Sequence, residues 1–84
     1  METTNNTRGY RMKYEVMQTI IDSKIPFNYT DKCSFSRDFI LLEHRSNRVA
    51  DLLYKVYEIV QKNSGEIEIY SLADNRIKVS VFKQ

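Results

Sequence analysis

The chain contains one cysteine, one proline, one histidine, two glycines and no tryptophan in 84 residues. A lone cysteine, Cys33, forbids an internal disulfide and so excludes a small secreted scaffold stapled by such bonds. Cys33 and His44 cannot between them build the usual four-ligand structural zinc site. On one straight strand these two would stand more than about 30 Å apart, too far for a nucleophile and its base. Gly9 and Gly65 are isolated, so there is no glycine-rich phosphate loop. No cofactor, metal or small-molecule substrate is indicated, and the expectation is a protein that is not an enzyme.

Long apolar runs are missing too. No stretch approaches the length that crosses a bilayer. The first residues do not show a basic segment followed by an apolar one, the pattern of a secretory signal. No membrane association is therefore expected, and the cytosol is the expected compartment.

Charge of one sign is also lacking. Thirteen Lys and Arg face eleven Asp and Glu, for a net charge of +2. Residues 1–32 hold five basic against four acidic side chains, and residues 33–84 hold eight against seven. A strong nucleic-acid binder concentrates Lys and Arg on one face, and the linear sequence shows no such block. The chain is rich in Ile, Lys, Asn and Tyr, a composition shared by AT-rich genomes such as those of many phages.

What is present is globular: 42% hydrophobic residues, enough for one core in a chain of this length. Met1–Thr7 is polar and aperiodic, which suggests a disordered N-terminal arm over 1–8 followed by a single domain over 9–84.

Val49, Leu52, Leu53, Val56, Ile59 and Val60 repeat at helical spacing, which predicts a helix over 47–63 capped by Ser46 or Asn47. Gly65 supplies its stop. Residues 66–72 and 76–82 alternate and read as a hairpin around Ala73-Asp74-Asn75, with Asn75 left-handed. This loop sets Ile67 opposite Val81, Ile69 opposite Val79 and Ser71 opposite Ile77. Tyr10, Tyr14, Met17 and Ile21 form a stripe that predicts a helix over 10–23 with those residues inward. Ile25, Phe27 and Tyr29 alternate as a short edge strand beside Pro26.

The segment Phe35–His44 is apolar on both sides. Phe35, Phe39 and Leu41 point one way and Ile40 and Leu42 the other. The resulting fold class is α+β, in αββαββ order, with a four-stranded mainly antiparallel sheet and two helices packed on one face.

Two helices leave the second sheet face uncovered. The hairpin register puts Tyr70, Leu72, Arg76, Lys78 and Phe82 there, together with Glu66 and Glu68. Apolar, aromatic and arginine side chains in one patch are what protein interfaces concentrate. The expected function is a small non-catalytic interaction module, a regulator or inhibitor from a phage or mobile element, binding a protein partner or a second copy of itself. The alternative is a nucleic-acid-binding regulator. Arg8, Arg11, Lys13, Arg76, Lys78 and Lys83 would then hold phosphates while Tyr70 or Tyr10 stacks on bases.

Overall fold

The computed structural model describes residues 4–43 and 46–83, and the side chains of the first helix from residue 11 onward. Six elements follow in order: α1 (Thr4–Ser23), β1 (Phe27–Cys33), β2 (Ser36–Leu41), α2 (Asn47–Lys62), β3 (Glu66–Ser71) and β4 (Ile77–Phe82). The four strands form one sheet in the order β1-β2-β4-β3, and every neighbouring pair is antiparallel. Both helices pack on the same face, α1 against β2 and α2 against β3, and against each other. The fold is α+β, as the alternation of periodicities predicts.

α2 begins where its signals stand. The Ser46 hydroxyl accepts from the backbone N–H of Val49, 3.2 Å away, and so satisfies one of the helix's unpaired first donors. Val49, Leu52, Val56 and Val60 are buried, with Leu53 and Ile59 partly so. The helix stops through Ser64 rather than Gly65. Ser64 takes the left-handed conformation (φ 58°), and the Gly65 N–H reaches back to the Val60 carbonyl at 2.9 Å. Gly65 is needed for room instead. A Cβ there would sit 2.5 Å from Met12 Sδ and 3.0 Å from the Phe82 carbonyl oxygen.

The β3–β4 hairpin has the expected register, with Ile67 opposite Val81, Ile69 opposite Val79 and Tyr70 opposite Lys78. Asn75 is left-handed in its loop (φ 67°).

α1 differs from its expected form. It starts at Thr4, six residues before the apolar stripe begins. Residues 4–8, assigned to the arm, thus continue the helix; once a buried turn has nucleated it, added residues propagate at little cost. Residues 1–3 of that arm lie outside the described residues. The buried face is Met12, Val16 and Ile20, each fully buried, whereas Tyr14 (62% exposed) and Ile21 (45%) face solvent. The side chain of Tyr10 lies outside the described residues. The apolar stripe is thus rotated from the tyrosine-bearing one, and the tyrosine hydroxyl stays in water instead of needing a partner in the core.

Against these helices the sheet presents Phe39 and Leu41 from β2 and Ile77, Val79 and Val81 from β4, all buried. Ile25 joins them from just before β1.

Candidate functional site: the open face of the sheet

The strand pairings fix what lies on the face away from the helices. One row across the sheet reads Asn28, Ile40, Lys78, Tyr70. The next reads Thr30, Asp38, Ser80, Glu68. Ser36, Phe82 and Glu66 form a third. Beyond the ladder, Leu42 donates its N–H to the Pro26 carbonyl and Leu72 donates to that of Arg76, which extends the face by another row.

The middle of this face is polar and ordered. The Ser80 hydroxyl donates to Asp38 Oδ1 at 2.6 Å. Asp38 Oδ2 lies 3.5 Å from the Lys32 ammonium and 3.7 Å from that of Lys78. Lys78 also stands 5.5 Å from the centre of the Tyr70 ring, and the Tyr70 hydroxyl donates to Glu68, which raises its pKa. Asp38 and Ser80 are buried even though no helix covers them, because their neighbours' long side chains close over them.

Apolar groups bracket this polar band. Leu42 (43% exposed) and Tyr70 (45%) lie toward one end with Ile40 and Leu72. Phe35, expected on the side of Phe39 and Leu41, sits instead in the turn before β2, free of that strand's alternation; 54% exposed, it lies at the other end with Phe82, flanking a groove of about 480 Å³ that Asp38 and Glu68 also line. The face thus offers fixed donors and acceptors between two apolar ends. Sequence reasoning placed Tyr70, Leu72, Arg76, Lys78 and Phe82 here, and the structure gathers all five on this face. It did not find the Asp38–Ser80 pair, whose only sequence signal is a small hydroxyl between Val79 and Val81.

The opposite face carries a second polar cluster, under α1. Arg37 is buried and forks its guanidinium onto Asp31, with Nε 2.6 Å from Oδ1 and Nη2 3.0 Å from Oδ2. The guanidinium carbon lies 4.3 Å from the centre of the Tyr29 ring and 5.9 Å from that of Tyr14. Lys13 is buried as well, 3.5 Å from Asp31 Oδ1 and donating to the Cys33 carbonyl. The Arg37 hydrogen bonds hold the Asp31 carboxyl below its ordinary range. Folded Asp31 therefore gives up its proton more readily than the unfolded residue, near pH 3.9. Its contribution to stability is complete above that value and is lost as pH falls through the lower folded value. Thermal melts from about pH 6 down to about pH 2 should show the midpoint falling, and Asp31→Asn should make the fall shallower.

Cys33 is exposed, and its thiol pKa is lowered chiefly by Ser36, whose hydroxyl lies 3.4 Å away. His44 lies outside the described residues.

The described members of the basic set fall in separate places, with Arg11 and Lys83 beside each other and Arg76 and Lys78 on the open face. Lys13 is buried, because the groove under α1 offers it Asp31 and a carbonyl, and this removes it as a phosphate contact. Lys83 donates to the Asn63 carbonyl at the end of α2 at 2.6 Å. Arg76 is held by Asp74 at 2.8 Å. Arg11 stands apart from the open face, near Lys62 and Lys83. The side chains of Arg8 and Tyr10 lie outside the described residues.

Among the described residues no cluster of three His, Cys, Asp or Glu could hold a metal ion, and no helix is long and apolar enough to cross a membrane. No protein-family model matches the chain, and no curated protein matches it.

Proposed function

We propose that the chain is a small interaction module without catalytic activity, a regulator or inhibitor that binds a protein partner through the open face of its sheet. One observation carries this reading: both helices lie on the other face, which leaves Tyr70, Leu72 and Phe82 without cover from them. Apolar side chains at both ends of the face, Leu42 and Tyr70 at one and Phe35 and Phe82 at the other, give a partner ground on which to bury apolar surface. A protein is favoured over a nucleic acid by charge. Asp38, Glu66 and Glu68 share the face with Lys32, Lys78 and Arg76, and Asp74 already holds Arg76, so the face carries no net positive charge to attract phosphate. The cytosol is the compartment that suits one exposed, unpaired thiol.

Affinity capture with the immobilised chain tests the reading. Phe82→Glu puts a charge at the edge of the groove and should weaken a specifically retained protein about tenfold or more. Equal retention by wild type and variant would refute the site. A mobility-shift titration at two salt concentrations should show no nucleic-acid complex, and a shift that fades with salt would transfer the function to the basic set.

A further inference from the structure

The two edges of the sheet are built differently. β1 carries the devices that blunt an edge: Pro26 just before it, Lys32 within it and a bulge between Asp31 and Cys33. β3, the other edge, is a regular run of six residues, Glu66–Ser71, without Lys, Pro or bulge. Its hairpin register sends the backbone groups of the even-numbered residues toward β4, since Leu72 donates to the Arg76 carbonyl. Those of Ile67 and Ile69 point out of the sheet. Ile69 faces the helical layer yet is 48% exposed, because α2 does not extend over it.

Above this edge, the surface of α2 divides by charge. Arg48, Asp51 and Lys55 line the cleft toward α1, and Lys62 pairs with Glu15 of α1. Ala50 and Leu53 line an apolar groove of about 480 Å³ against Ile69. Helical spacing continues that side through Tyr54, Tyr57 and Gln61, which are uncharged, with exposed Glu58 at its border. Tyr54 is 66% and Tyr57 47% exposed.

We propose that this side of the molecule is an interface between two copies of the chain, in which β3 pairs antiparallel with β3 of the second copy about a two-fold axis. Such an axis keeps each sheet face on its own side, so opposed residues share the parity of their numbers. Centring the pairing on Ile69 uses the outward backbone groups of Ile67 and Ile69. It sets Ile69 against Ile69 of the second copy and Glu68 against Tyr70, a pair that already bonds within one chain. Centring on Glu68 would set two carboxylates directly opposite each other, which like charge disfavours. The two α2 helices then meet through their uncharged tyrosine sides. This self-complementarity of register and charge is what selects a second copy as the occupant. The wall is about 20 Å long and two layers, about 20 Å, high. That footprint, roughly 400 Å² per copy, is below the roughly 800 Å² per partner of a standard interface, so the dimer is a weak one. The interface adjoins the open face and shares Glu68 and Tyr70 with it, and pairing lays two open faces side by side.

Sedimentation equilibrium across the micromolar range tests it. The mass of the full chain should rise from 10.0 kDa toward twice that value. Ile69→Lys and Tyr57→Glu, at sites exposed in the single copy, should each weaken the dimer about tenfold or more. Circular dichroism checks that both stay folded. Phe82→Glu should leave the dimer unchanged. A single-copy mass at every concentration, or a dimer indifferent to both variants, would overturn the proposal. A dimer lost with Phe82→Glu but kept with Ile69→Lys would place self-association on the open face and refute this interface alone. Failure of partner capture with normal dimerisation would refute the open-face reading alone.

Discussion

Phe39→Ala is expected to remove about 3–5 kcal/mol of folding stability. Phe39 is fully buried on β2, an inner strand of the sheet, opposite Tyr29 on one side and Val79 on the other. Its ring centre lies 6.0 Å from that of Phe27 and 6.4 Å from that of Tyr29. Truncation thus loses burial and ring contacts, and it leaves a hole that β1 and β4 cannot close without breaking their hydrogen bonds to β2. A domain of this length holds roughly 4–13 kcal/mol in all. The variant should therefore be marginal at room temperature. Urea titration should show a much lower midpoint at an unchanged slope. A loss below about 1 kcal/mol would mean that this ring does not anchor the core.

Asp31→Ala is expected to cost about 2 kcal/mol, and Arg37→Met distinctly less. The asymmetry follows from exposure. The Arg37 side chain is 8% exposed and that of Asp31 43%. Removing the carboxylate leaves a buried guanidinium without either arm of its fork, against Met17 Sδ and the faces of two tyrosines. Removing the guanidinium leaves a carboxylate that reaches water and keeps Lys13 beside it. Methionine also refills much of the space between the rings. Screening at the exposed carboxylate keeps the first figure below that for a fully buried pair. Denaturant midpoints of the two variants compare them directly. A larger loss for Arg37→Met would show that packing by the arginine stem, not charge, dominates the cluster.

These two clusters also show where the sequence could be read and where it could not. α2 and the hairpin obey one period each. Val49 to Val60 fit only a helix, and residues 66–82 fit only paired strands around a left-handed Asn75. α1 offers two apolar stripes, and side-chain type alone did not choose between the tyrosine-bearing one and Met12, Val16, Ile20. The choice is made by the sheet beneath it. The burial of Lys13 was illegible for the same reason, since its partner Asp31 lies 18 residues away and meets it only once α1 packs on the sheet. The open face was legible because it needs only register and a count of helices. Its polar centre was not, because Asp38 and Ser80 are 42 residues apart and are buried by neighbouring side chains rather than by backbone. The register of Ile69 opposite Val79 is as expected, but a core position is not: Ile69 is 48% exposed. That α2 leaves it half open depends on where the helix settles, which no local pattern encodes.

Hydroxyl-radical footprinting of the chain alone and with its captured protein tests the account most directly. The open-face reading predicts that Phe35, Tyr70 and Phe82 become protected while Tyr14, on α1, stays reactive. Protection of Tyr14 with Tyr70 and Phe82 still fully reactive would contradict it.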